Sequence, residues 1–353
     1  MRQGETAIEG ATTVRTYAIE LPGIGEPETL RTVSRELPDP GADEVIVRVE
    51  ATGVSFAEQQ MRLGKYYDQP PFPFVPGYDL VGIVEQVGPG VAFAPGQRVA
   101  ALTKTGAWAQ HVMLPAADLT PVPDGVDPVD AETAIVNGLT AWRMLHRAAR
   151  VRAGHTIVVL GAAGGVGSLL VQLARDAGIA VIGVAGPAQQ ESVAALGATP
   201  VDYRNEDVPA RVRELAPGGV AAVFDHVGGD GIAASWRMLA RGGTLVSYGT
   251  AATKDDPGNP RLPVLKLLGR LALWNALPNG RRALFFNLWA GRRFRPDRHR
   301  AQIRADLAQL FALLRDGRIT AQVAARFPLT DAAAALRFAE QGGNTGKVAL
   351  VAR

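Results

Sequence analysis

The chain has 353 residues, enough for about two domains with their own cores. Hydrophobic residues make up 47% and charged residues 20%, the balance of an ordinary globular protein. Cysteine is absent, which excludes disulfides, thiolate zinc sites, iron–sulfur clusters and cysteine nucleophiles, and a net charge of +3 makes no case for a nucleic-acid partner. No apolar run is long enough to span a bilayer and the first 14 residues lack a signal-peptide core, so a flexible leader and a cytoplasmic location are expected.

In chain order, residues 1–136 read as β-rich. Alternating runs such as Glu44-Val45-Ile46-Val47-Arg48-Val49-Glu50 and Val81-Gly82-Ile83-Val84-Glu85-Gln86-Val87 are divided by Pro and Gly turns. From 137 to 290 the pattern becomes strand then helix. Strands are expected near 157–160, 180–184, 199–202, 220–225 and 243–248, which makes this an α/β region with a doubly wound parallel sheet. Residues 291–353 close on one more strand, Lys347-Val348-Ala349-Leu350-Val351.

The strongest motif is the run Thr156-Ile157-Val158-Val159-Leu160 breaking into Gly161-Ala162-Ala163-Gly164-Gly165-Val166-Gly167 and then into a helix over 168–177. Small residues let the backbone approach a pyrophosphate, whose charge sits against the free N–H groups at the helix start. Read as the dinucleotide fingerprint, Ala162-x-Gly164-x-x-Gly167 has alanine in the first glycine position. About twenty residues on, Ala185-Gly186-Pro187 stands where an NAD site would place a carboxylate for the ribose 2′-hydroxyl. A 2′-phosphate would meet no repulsion there, which favours NADPH. Tyr203 and Arg204 are the candidates to reach it, with a solvated loop cation as the alternative for Arg204.

Taken with Gly53-Val54-Ser55-Phe56-Ala57-Glu58, Pro76-Gly77-Tyr78-Asp79, Asn137-Gly138-Leu139-Thr140-Ala141, Phe224-Asp225-x-Val227-Gly228-Gly229 and Gly346-Lys347, the chain resembles the medium-chain dehydrogenase/reductase superfamily, and within it the zinc-independent quinone oxidoreductase branch related to zeta-crystallin. The resemblance implies a GroES-like barrel built from both chain ends, 1–136 and 291–353, around a Rossmann domain at 137–290. It implies cofactor contacts at Thr140, Ala163, Gly164, Gly165, Val166, Gly167, Gly186, Tyr203, Arg204, Val227, Gly249 and Lys347. It places Ser55, Tyr66, Tyr78 and Thr140 at the reacting end.

Three departures matter. The zinc-dependent members have Gly-His-Glu where this chain has Gly77-Tyr78-Asp79, and His111, His146, His155, His226 and His299 show no ligand spacing, so no metal is expected. Ser55 stands where the quinone reductases commonly have asparagine, keeping one hydroxyl to donate or accept. Gln190 stands where they often supply lysine. Lys347 resembles the family lysine that returns to the cleft, or is a solvated edge residue.

The resemblance implies hydride transfer from NADPH to a quinone. An enone or enoyl thioester (2-alkenal type) is the runner-up, and an NADPH-binding structural or vesicle-associated protein the non-enzyme alternative. A homodimer through the Rossmann sheet edge is expected, with no nucleic acid and no membrane span. An apolar insertion, about 260–290, is expected to be a lid over the cleft or a dimer surface in preference to a membrane-contact patch.

Overall fold

The structure is a computed structural model that describes residues 13–249, 251–253 and 261–352; all but the last two residues of the expected leader 1–14 lie outside them. Two sheets organise the chain. The first contains the strands Glu44–Val54, Asp79–Val87, Arg98–Leu102, Leu119–Pro121, Val323–Pro328 and Lys347–Val351, with His111–Pro115 pairing against Glu44–Val54. The long strand Glu44–Val54 is its hub, antiparallel to Asp79–Val87, His111–Pro115 and Lys347–Val351. Because the last strand joins early ones, this barrel is made from both chain ends.

The second sheet is six-stranded and parallel, in the order Thr199–Asp202, Ala180–Ala185, Thr156–Leu160, Val220–Asp225, Leu239–Ser247, Arg282–Phe285. Its central strand is covered on both faces, so Ile157, Val158 and Val159 are all fully buried, as an apolar parallel strand requires. The expected strand positions hold to within a few residues, except that the one expected at 243–248 begins at Leu239.

The chain rejoins the barrel later than residue 291. The helix Pro296–Arg315 turns Ile303, Leu307, Leu310 and Phe311 into the core shared by the two halves beside Leu139, with Arg300 bonded to Asp118 of the barrel, and Val323–Pro328 is the next strand to join the barrel sheet. Those four positions fall on one face at helical spacing, which decides where the helix packs. The helical stretch 128–149 bridges the two halves and is π-wound over Ala134–Gly138 and again over Arg143–Ala149.

The insertion is the helix Arg261–Ala276 followed by the edge strand Arg282–Phe285. Leu267 and Leu271 face the sheet, and Trp274 stacks on Trp236 with centroids 5.0 Å apart. The Asn275 amide donates to the Ala283 carbonyl at 2.7 Å and accepts from its N–H at 2.8 Å, occupying part of the sheet edge as a strand would. Leu268 is exposed, and Val264 lines the cleft. Among the described residues no helix is long and apolar enough to cross a membrane.

Candidate active site

The two halves meet along a cleft of about 440 Å³, a size that takes small ligands. On the Rossmann side, Gly164 caps the helix Gly165–Asp176 with extended backbone, and no side chain caps its first-turn N–H groups. They are left for an anion. A Cβ on Gly164 would meet only the Gly161 carbonyl oxygen, at an ordinary 3.4 Å, whereas one on Gly167 would lie 2.1 Å from that oxygen. Gly164 therefore keeps space open in the cleft, and Gly167 lets the helix lie against the turn. This donor set and cradle fit a dinucleotide pyrophosphate.

Sequence spacing missed two neighbours of that turn. Asn137, from the π-wound stretch, packs so closely that a Cβ on Gly165 would stand 2.4 Å from its amide nitrogen. His226 lies against Gly161, where φ is +72° and a Cβ would be 2.3 Å from the imidazole ring. Its Nδ1 donates to the Leu160 carbonyl at 3.0 Å, which leaves Nε2 without a hydrogen, and burial lowers the imidazole's pKa. Asn137, Thr140, Val166, Gly249 and His226 all line the cleft.

Ala163, Gly186, Tyr203, Arg204 and Val227 do not line it. The Ala163 carbonyl accepts from Gly346 N–H at 3.0 Å, tying the phosphate turn to the last barrel strand. Gly186 ends the strand Ala180–Ala185, and the Tyr203 ring would be 3.7 Å from a Cβ placed there. Tyr203 is 54% exposed, with the Arg204 guanidinium 5.6 Å from its ring centre; residues 185–190 carry no carboxylate, and Asp202, in register with Ala185, accepts from Arg204 N–H at 2.9 Å. Gln190 donates to the Ala185 and Gly186 carbonyls at 3.0 Å, so it holds the strand end in place and offers no positive charge.

The barrel side is built from side chains. Tyr66 and Tyr78 share a hydrogen bond between their hydroxyls, and Trp289 Nε1 donates to the Tyr78 oxygen at 3.1 Å. Burial pushes both phenol pKa values up, so both hydroxyls stay protonated. Trp289 follows the edge strand Arg282–Phe285, leaves the sheet and enters the cleft.

Ser55 lines the cleft, but its hydroxyl is committed. It donates to the Glu58 carboxylate and accepts from Ala57 N–H at 3.2 Å, while Ser55 N–H donates to Glu58 at 2.9 Å. This is a capping box at the start of the helix Phe56–Arg62, so the hydroxyl expected to donate or accept in the cleft has its hydrogen directed at Glu58. Burial raises the Glu58 pKa, against the lowering effect of the Ser55 hydrogen bond. Thr140 sits inside the helix Leu139–Trp142.

Lys347 is not a solvated edge residue. It is 3% exposed, its ammonium donates to Asp79 Oδ2 at 2.9 Å, and it lies 2.6 Å from Glu132 Oε1. Burial opposes its charge, but the two carboxylates outweigh this and raise its pKa above an ordinary lysine's. Burial and the neighbouring Asp79 charge push Glu132 well up. Asp79 Oδ2 also accepts from Val136 N–H at 3.1 Å, so this cluster joins the barrel to the bridging helix. Among the described residues no group of three or more His, Asp or Glu side chains is arranged to hold a metal ion.

A GroES-like barrel closed by both chain ends, a six-stranded Rossmann sheet and a cleft between them define a two-domain reductase architecture of the medium-chain type. Residues 41–124 match the alcohol dehydrogenase GroES-like domain, and 196–350 match the zinc-binding dehydrogenase domain. The chain is 30% identical over 344 residues to the synaptic vesicle membrane protein VAT-1 homolog of Rattus norvegicus, covering 94% of this chain and 83% of that one. It is also 30% identical to a 2-haloacrylate reductase of a Burkholderia species, covering 93% and 96% of the two chains. The Escherichia coli quinone oxidoreductase solved in complex with NADPH superposes with a TM-score of 0.82 at 27% identity, covering 95% and 99%. The chain belongs to the medium-chain dehydrogenase/reductase superfamily, in its quinone oxidoreductase branch.

Proposed function

We propose that this protein is an NADPH-dependent reductase of quinones or similar electron-poor conjugated carbonyls that works without a metal. NADPH supplies the hydride when bound. The observation that carries the reading is one cleft joining two features: the uncapped helix start at Gly164–Gly167 and the anchored hydroxyl pair Tyr66–Tyr78. Tyr67 also bonds Tyr66, and a hydroxyl hydrogen of this cluster would serve an acceptor oxygen in the cleft. There it would stabilise the oxyanion left when an acceptor takes up hydride, and burial keeps it protonated for that task. Trp289 fixes the pair's position, and the apolar lining excludes water. Tyr203 and Arg204 would hold the 2′-phosphate at the adenosine end, where the strand end Ala185-Gly186-Pro187 carries no carboxylate. Metal-free chemistry is supported by the absence of cysteine and by Asp79, which is spent on Lys347.

The 2-haloacrylate reductase relative favours a second reading, in which hydride goes to the β-carbon of an enone or enoyl thioester and the same hydroxyl pair meets the enolate. The VAT-1 relative keeps a non-enzyme role open to test. The deciding assay follows nicotinamide absorbance with NADPH and with NADH against quinones, alkenals and enoyl thioesters. Fast NADPH oxidation by quinones supports the proposal. Faster turnover of enoyl thioesters selects the second reading, and tight NADPH binding with no turnover of any acceptor selects the third.

A further inference from the structure

The rim of the cleft has a composition that hydride transfer does not require. Residues 292–298 carry Arg292, Arg293, Arg295 and Arg298 against a single carboxylate, Asp297, in a chain whose total cation excess is three, whereas Arg270 and Arg300 are paired with Asp230 and Asp118. Val264 and Trp289 line the same cleft, so the first turns of the helix Arg261–Ala276 and the loop after Trp289 flank one mouth. On the helix, Leu262, Leu265 and Leu268 are 50%, 62% and 43% exposed. In the loop, Phe294 is 85% exposed and stands between Arg293 and Arg295. Arg293, Arg295 and Arg298 are exposed and form no ion pair among the described residues, while Arg292 lies over the Trp289 ring at 4.8 Å.

Unpaired arginines interleaved with protruding leucines and a phenylalanine match a surface that is anionic outside and apolar beneath. A second copy of the chain fits poorly. A two-fold interface would set this basic rim against itself, and Asn275 already occupies part of the adjoining sheet edge. Duplex nucleic acid would satisfy the arginines but not the leucine row. We propose that this rim docks the protein on an anionic lipid bilayer with the mouth of the cleft toward the membrane. This goes beyond the proposed reaction and stands whichever acceptor is reduced.

The test is co-sedimentation of the full chain with phosphatidylcholine vesicles and with vesicles that also contain phosphatidylglycerol. Binding is expected on the anionic vesicles, little on the neutral ones, and loss of binding at high salt. The double variant Arg293→Glu/Phe294→Ser and, separately, Leu265→Ser should each melt like the parent. The double variant should lower partitioning by about tenfold or more, the single one by less. Equal binding to neutral vesicles, no binding to either, or unchanged binding of both variants would overturn the proposal. So would a parent dimer that the variants convert to monomer, which assigns the rim to a second copy, or displacement of bound vesicles by duplex DNA, which assigns it to nucleic acid.

Discussion

The two walls of the cleft are built in different ways. The Rossmann wall is local: one stretch of chain, Thr156–Leu160 and the turn after it, supplies strand, glycines and helix start, and the backbone presents the binding groups. The barrel wall is assembled from distant side chains: Lys347 reaches Asp79 across 268 positions, and Trp289 reaches Tyr78 across 211. A backbone site tolerates change in side chains but not in glycine. A side-chain network tolerates change in backbone sequence but not the loss of one partner.

The largest expected effect breaks the barrel wall. Lys347→Met leaves Asp79 and Glu132 buried without a counter-charge and should cost about 3–5 kcal/mol of stability by chemical denaturation. A loss below about 1 kcal/mol would mean the cluster does not hold the two halves together. Next comes the Rossmann wall, where the two glycines should part company. Gly167→Val should destabilise the fold, because its Cβ would run into the Gly161 carbonyl, while Gly164→Val should fold normally and lose NADPH binding. Loss of folding in both variants would remove the distinction drawn between them.

This contrast also explains what could be read from the sequence. Strand positions, the phosphate turn and the absent carboxylate after Ala185 are local patterns of period and spacing, so they are legible. The partners of Lys347 and the entry of Trp289 into the cleft are not, because spacing reports only neighbours along the chain. Ser55 lies between these cases. The spacing Ser55-x-x-Glu58 is a capping box by pattern alone, and that local role competes with donation into the cleft.

Smaller effects sharpen the comparison. Arg204→Ala should weaken NADPH by about 1–3 kcal/mol and NADH little, measured by titration; equal losses would take Arg204 out of the site. Ser55→Ala should cost about 1 kcal/mol as a lost cap. Acidification acts on the Rossmann wall through His226, whose pKa is lowered mainly by burial. The unfolded chain takes up its proton first, so the stability His226 gives is present above the free imidazole's 6.5 and is lost as pH falls through the lower folded value. A His226→Gln variant should therefore show a shallower loss of thermal stability than the parent as pH falls from 6.5 to that lower value.

The most direct test of the account joins both walls in one experiment, comparing Tyr78→Phe with the parent for NADPH affinity and for the rate of quinone reduction. If the phosphate turn binds the cofactor and the tyrosine pair serves the acceptor, the dissociation constant for NADPH stays unchanged while kcat falls, by about tenfold to a hundredfold. An unchanged kcat, or a loss of NADPH binding equal to the loss of rate, would contradict it.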